Sequence, residues 1–489
     1  MALRLIGPIV LLALGLHLGL ALTHDGYLGV DGGAYLLSRN AVLGDEPTGA
    51  GFPRPPLAPG WQLVPFTHVL GDDIGYKVWA AIAATMPLLG GWLLARRFLP
   101  RFQLPFMLAF LAVDLLHAEM FVTGALPLQG FALIAAAMWA MCSLAERKSW
   151  APILVLALSL PAIAHINQTS SGLAALYIPV FWLALSWFRR EWQLRSLAPI
   201  VAGGLLAMSA LPWYLDIAPN SSILHYPGAW VFPSSWADVS WWQVAAALPV
   251  GYWAARYATD PALRALGVVT VALGLMLPWL STDETVINVF YRSRYLLAIP
   301  WYICMTWIVF TYWIPGLLAL QPGKRAVGAL AGSLTAVALG VMAVGAVWQF
   351  HNQARYSDMV TSETADALGQ LRAEGSAGII TNSFTFSLWV AALNKVESPH
   401  VWTWTPPRAY TETDIHVRCI LGWTPGCDPG RAREVLGVSH VLIDTRFPDY
   451  NPRAPAIYMA PEDPWGVTAE TPWLELVYAD ASTRLWRIT

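Results

Sequence analysis

The chain has 489 residues, 56% of them hydrophobic and only 12% charged, with a formal net charge of −2. Soluble globular chains carry roughly 25% charged residues, so an ordinary water-soluble domain is excluded. A near-neutral balance also leaves no basic surface for nucleic acid.

A membrane-spanning helix needs roughly 20 mostly apolar residues. Eleven segments meet that test, near 5–23, 76–95, 102–118, 124–145, 150–166, 172–188, 197–215, 241–255, 265–281, 295–319 and 326–348. The first is read as a retained helix. Arg4 precedes a long apolar run, and Ala21-Leu22-Thr23-His24 is a poor cleavage site for a signal peptide. Basic residues in short loops mark the cytoplasmic side. Arg4, Arg96, Arg97, Arg101, Arg147, Lys148, Arg189, Arg190, Arg195, Arg256, Arg264, Lys324 and Arg325 all fall on one side. The other side holds few: Arg39, Arg54, Arg292 and Arg294.

A long first outer loop covers about 24–75, and a Trp-rich one about 214–240. From about residue 349 the composition becomes ordinary. Helices are predicted at 361–374, 384–393 and 429–436, strands at 377–381 and 439–444, and a hairpin pairing 474–479 with 483–488. The expected fold class is therefore a polytopic α-helical membrane protein of about eleven spans with a small C-terminal α/β domain. The transmembrane domain is 1–348 and the soluble domain 349–489. An odd number of spans puts that domain outside, with the N-terminus cytoplasmic. Cys419 and Cys427 are close enough in sequence for a small-loop disulfide if that domain faces an oxidising compartment, and whether they form one stays open; their spacing matches no zinc pattern.

Polar groups at a membrane face are candidates for function. In the first outer loop, Tyr35, Leu36, Val42 and Leu43 around polar Ser38, Arg39 and Asn40 suit a short amphipathic helix lying on the membrane. Asp31 stands just before it, as a reactive carboxylate or simply a helix N-cap. The run Gly51-Phe52-Pro53-Arg54-Pro55-Pro56-Leu57-Ala58-Pro59 fixes an extended backbone that carries Arg54. Glu119, with Asp114 and His117, makes a polar cluster at the outer end of the third span. It reads as a second catalytic carboxylate, a metal ligand with Asp31, or a structural pair. Trp230, Trp236, Trp241 and Trp242 read as an interfacial aromatic belt.

The order of these features resembles a family. An acidic residue after the first span, Tyr35-Leu36-Leu37-Ser38-Arg39-Asn40, then Arg54-Pro55-Pro56-Leu57, is similar to the GT-C superfamily of membrane glycosyltransferases, of the protein-mannosyltransferase-like family 39 type. Glu119 with Thr123-Gly124-Ala125-Leu126-Pro127 falls at that family's second acidic position. Tyr291-Arg292-Ser293-Arg294-Tyr295-Leu296-Leu297 matches its Arg-Tyr-Leu signature.

The resemblance implies a polyprenyl-phosphate-linked sugar donor. It also implies a glycan, lipid or protein acceptor, and inverting transfer at the outer face of the cytoplasmic membrane. Asp31 takes the position of the general base. Arg294, then Arg292 and Arg54, with Tyr295, take that of the lipid-phosphate contacts. The family's Leu-Thr-Lys motif is replaced by Ala164-His165-Ile166-Asn167-Gln168-Thr169. Either His165 or Gln168 stands in for the Lys, or the phosphate is held differently. No cofactor is certain; a divalent cation, magnesium or manganese, on Asp31 and Glu119 stays open. Competing readings are a lipid or glycan transporter or flippase, an O-antigen-ligase-like enzyme, and a non-catalytic scaffold.

Overall fold

The computed structural model describes residues 2–23, 32–44, 57–116, 125–146, 149–166, 168–212, 241–280, 293–319, 362–375, 378–381, 384–394, 415–444 and 464–489. The helices are α1 (Ala2–Leu22), α2 (Gly32–Leu43), α3 (Leu57–Leu70), α4 (Asp72–Phe98), α5 (Gln103–Leu116), α6 (Ala125–Glu146), α7 (Ala151–Ile166) and α8 (Gln168–Arg189). They continue with α9 (Leu194–Ala207), α10 (Trp241–Tyr257), α11 (Pro261–Leu280), α12 (Ser293–Ile308) and, after a π-helical turn over Val309–Trp313, α13 (Ile314–Ala319). Ten of the eleven predicted spans coincide with helix, and 326–348 lies outside the described residues. By length and composition, Asp72–Phe98, Leu128–Glu146 and Ser170–Arg189 are long and apolar enough to cross a membrane.

The chain forms two compact units. The first comprises Met1–Ala21, Ala80–Pro212 and Trp230–Gln353, and the second Leu22–Trp79, Trp213–Ala229 and Ala354–Thr489. The expected domain boundary near 348 lies outside the described residues, and the first outer loop is grouped with the C-terminal part of the chain.

The first unit is a helix bundle whose members meet where side chains are small, as packing in lipid favours. α10 and α11 approach so closely that a Cβ on Gly251 would lie 2.7 Å from the Gly267 carbonyl oxygen, and one on Gly267 2.5 Å from the Ala255 nitrogen. At one end the predicted basic-side residues do converge. Arg97 bonds Asp260 at 2.8 Å and also pairs with Glu146. Arg189 reaches the same Glu146 at 3.3 Å and donates to the Ala145 carbonyl at 2.9 Å. The ends of α4, α6 and α8 and the α10–α11 turn are thus tied together.

In the second unit, α14 (Ser362–Glu374), β1 (Ile379–Thr381), α15 (Phe384–Asn394), α16 (Pro429–Leu436), β2 (His440–Asp444), α17 (Pro464–Ala469), β3 (Leu474–Ala479) and β4 (Thr483–Ile488) follow in order. The sheet order is β1-β2-β4-β3, with β1 parallel to β2 and the other neighbours antiparallel. Ile380, Val417, Ile420, Val441, Trp486 and Ile488 form its core. α16 starts with Asp428, whose carboxylate accepts from the Arg431 N–H at 3.1 Å, and Pro429 follows; it stops at Gly437 with φ 62°. Both signals are local, which made this helix readable. Cys419 and Cys427 are joined as a disulfide with Cα atoms 5.8 Å apart.

Two expectations for the first outer loop change. Leu57–Leu70 is helix α3, where the Pro-rich run was read as extended through residue 59. Pro59 sits in the first turn, where a missing N–H leaves no intrahelical bond unmade. Helix α2 forms, but its polar residues are not turned to water. Ser38, Arg39 and Asn40 are buried, whereas Leu43 is exposed. The helix is enclosed by protein rather than laid on a surface.

Candidate functional site

The enclosure of α2 comes from hydrogen bonds between segments far apart in sequence. A Cβ on Gly60 would stand 2.3 Å from the Ser38 carbonyl oxygen, so only glycine lets α3 lie this close to α2. The Gly60 N–H donates to Ser38 Oγ at 3.0 Å. Arg39 donates to Asp72 at the start of α4, meeting both carboxylate oxygens, the second at 3.2 Å. The same guanidinium donates to Asn40 Oδ1 at 2.7 and 3.1 Å. Asn40 Nδ2 then donates to the Ala392 carbonyl of α15 at 2.8 Å.

A line of groups thus runs Asp72, Arg39, Asn40, Ala392, joining α4, α2 and α15. An aromatic seam runs beside it. Tyr35 and Trp79 meet edge to face at 5.5 Å, and Tyr76 meets Trp389 the same way at 5.5 Å. Trp389 is fully buried. Trp79 Nε1 donates to Gln62 Oε1 at 3.1 Å, adding α3. These buried polar groups each have a partner, as burial requires.

Asp31, Arg54, Glu119 and Arg292 lie outside the described residues, as does His117. The helix that Asp31 precedes begins at Gly32. Arg294 and Tyr295 are the second and third residues of α12, and Gln168 is the first of α8.

His165, near the end of α7, shares Nε2 with Ser209 Oγ at 2.8 Å. The Ser209 hydroxyl donates to the Leu206 carbonyl at 2.6 Å. The imidazole Nε2 is therefore the donor in this pair, which leaves Nδ1 as an acceptor in the neutral ring. Only the imidazolium would offer Nδ1–H to a phosphate. Among the described residues no three His, Cys, Asp or Glu side chains converge as a metal site.

Sequence reading missed Asp72 and the buried Lys77, which bonds Asp73 at 3.0 Å, and saw Asn40 only as a polar residue of the first-loop motif. No local sequence pattern gave them away. Tyr35 to Asn40 are six consecutive residues, more than one full turn at 3.6 per turn, and all are buried. At that spacing the polar residues lie between the apolar ones around the helix, so all six are covered only because protein closes over the whole of it.

No protein-family model matches the chain, and no curated protein sequence matches it. Solved structures do. ArnT from Cupriavidus metallidurans, bound to undecaprenyl phosphate, superposes with a TM-score of 0.59 at 12% identity, covering 99% of this chain and 97% of that one. The Archaeoglobus fulgidus oligosaccharyltransferase in complex with zinc and sulfate gives 0.59 at 11% identity, over 98% of this chain and 72% of that one. The archaeal oligosaccharyltransferase AglB from Archaeoglobus fulgidus, in complex with an inhibitory peptide and a dolichol-phosphate, gives 0.53 at 11%, over 90% and 69%. At these identities the likeness is one of architecture alone: the chain shares the fold of ArnT and of the archaeal oligosaccharyltransferase.

Proposed function

We propose that this chain transfers a sugar from a polyprenyl-phosphate-linked donor to an acceptor hydroxyl, at the outer face of the cytoplasmic membrane and with inversion. The observation that carries the reading is likeness over almost the whole of both chains to ArnT bound to undecaprenyl phosphate. A lipid phosphate of that class is what the basic residues of the basic-poor side would meet. The Cys419–Cys427 disulfide supports an oxidising, extracytoplasmic location for the C-terminal part.

In this reading Asp31 takes the proton from the acceptor hydroxyl as its oxygen bonds to the anomeric carbon. The bond from that carbon to the phosphate oxygen breaks, and the electron pair leaves with the polyprenyl phosphate. Arg294, with Arg292 and Arg54, meets the charge growing on that phosphate. Tyr295 and either Gln168 or His165 as its imidazolium complete the contacts to the lipid-phosphate group, and Glu119 is the second carboxylate.

The test is a panel of polyprenyl-phosphate sugars offered to the protein in nanodiscs, with release of polyprenyl phosphate followed by mass, with and without EDTA. Release from one donor is expected. Loss in EDTA would bring a divalent cation into the reaction. No donor consumed, while lipid crosses the bilayer, would replace the transferase reading by the transporter one.

A further inference from the structure

The basic end of the first unit carries a second feature. α8 has 22 residues, about 33 Å at 1.5 Å per residue. It begins at Gln168 and closes at Arg189 with a reversal of the chain. There the Arg190 N–H donates to the Trp187 carbonyl at 3.1 Å and the Glu191 N–H to the Ser186 carbonyl at 3.2 Å. Arg190 has φ 54°, the only non-glycine with positive φ among the described residues. Glycine is the ordinary residue at this position of a helix end, and an L side chain is strained there.

Beside this turn opens a cavity of about 870 Å³. Val180, Leu183, Trp187 and Val268 contribute apolar walls, and Arg190 and Glu191 stand at its edge. Leu183 and Trp187 are 51% and 79% exposed on a helix long and apolar enough to cross a membrane, where acyl chains would cover them. The neighbouring cations are already used. Arg189 binds Glu146 and the Ala145 carbonyl, and the Arg264 guanidinium lies 4.2 Å from the Phe188 ring centre. Arg190 and Glu191 are both exposed, and neither charged group is engaged by another described residue.

One guanidinium and one carboxylate at the mouth of an apolar, lipid-facing cavity match a headgroup that carries one phosphate and one ammonium. We propose that this cavity binds a phospholipid with an amine-bearing headgroup. Its phosphate lies on Arg190, its ammonium on Glu191, and its acyl chains run along Leu183 and Val180. The proposal requires only that the chain spans a membrane, so it stands or falls separately from the transferase reading.

The experiment uses the full chain in detergent, titrated with phosphatidylethanolamine, phosphatidylcholine or phosphatidylglycerol of matched acyl chains. Retained lipid is counted by native mass spectrometry. Arg190→Gly removes the guanidinium while giving the turn its preferred residue, so it keeps the fold. Glu191→Gln removes only the charge. Wild type should retain phosphatidylethanolamine about two- to fivefold better than the other two, the range of an exposed ion pair. Either variant should lose that preference, and Arg190→Gly should unfold at no lower a temperature than wild type. Equal retention of the three lipids by wild type would overturn the proposal. So would a preference that survives both variants, or wild-type preference for phosphatidylglycerol.

Discussion

Arg39 of α2 and Asp72 of α4, 33 positions apart, are joined by a forked ion pair in which the guanidinium meets both carboxylate oxygens. The Arg39 side chain is 10% exposed and that of Asp72 35%. Removing the carboxylate leaves a buried cation with Asn40 Oδ1 as its remaining acceptor, whereas removing both partners takes the charge away and leaves only Asn40 Oδ1 without its donor. Asp72→Asn is expected to cost about 1–3 kcal/mol, less than a fully buried pair would lose because Asp72 meets solvent. Arg39→Met in the Asp72→Asn background should restore part of that loss. Denaturant unfolding of the four proteins in detergent measures the coupling; strictly additive costs would show that the pair holds nothing.

Asn40 uses both ends of its amide, accepting from Arg39 and donating to the Ala392 carbonyl. Asn40→Ala leaves two buried groups unsatisfied and should cost about 1–3 kcal/mol. Asn40→Asp keeps the acceptor but turns an oxygen towards a carbonyl oxygen, so it should do no better. Hydrogen exchange over 32–44 and 384–394 should quicken in both variants. Wild-type protection in either would show that Asn40 does not hold α2 to α15.

Gly60 is where α3 presses on α2. Gly60→Ala puts a methyl group 2.3 Å from the Ser38 carbonyl oxygen, a backbone atom that cannot swing aside. The helices must separate, at about 1–3 kcal/mol. Thermal unfolding of Gly60→Ala beside Gly44→Ala, where the space is open but φ is 74°, separates crowding from backbone strain. A smaller loss at Gly60 than at Gly44 would count against close contact of α2 and α3.

Glu374 accepts from Arg487 at 2.6 and 3.0 Å and from His440 at 3.1 Å. The Arg487 hydrogen bonds first, then His440, hold its carboxyl below the ordinary 4.5. A carboxyl depressed in the folded state stabilises fully above its unfolded pKa, and that contribution fades as pH falls through the folded value. Stability should therefore be flat in this term above about pH 4.5 and decline below it. Arg487→Met should flatten the decline. Unfolding followed between about pH 3 and 6 tests this, and an unchanged slope in Arg487→Met would refute it.

Much of the architecture was legible. Ten predicted spans coincide with helices because length and apolarity are local properties. α16 was readable from Asp428-Pro429 and Gly437, and the β3–β4 hairpin from two short apolar runs close in sequence. What was hidden depends on distant partners. Nothing near Asn40 reveals that its amide meets the Ala392 carbonyl, 352 positions away. Nothing near Pro59 shows that α3 packs on α2 through Gly60. Arg39, one of the rare outer-side cations and the one given no phosphate role, is occupied by Asp72 and Asn40. Of the proposed lipid-phosphate contacts, His165 showed its geometry: its Nε2–H is spent on Ser209.

The most direct measurement compares sugar transfer by wild type and Asp31→Asn in nanodiscs, with donor binding followed in the same samples. Loss of a general base should lower turnover by about 10²–10⁴-fold, while the variant stays folded and binds the polyprenyl-phosphate sugar as wild type does. Transfer by Asp31→Asn at the wild-type rate would contradict the assignment of this carboxylate as the base.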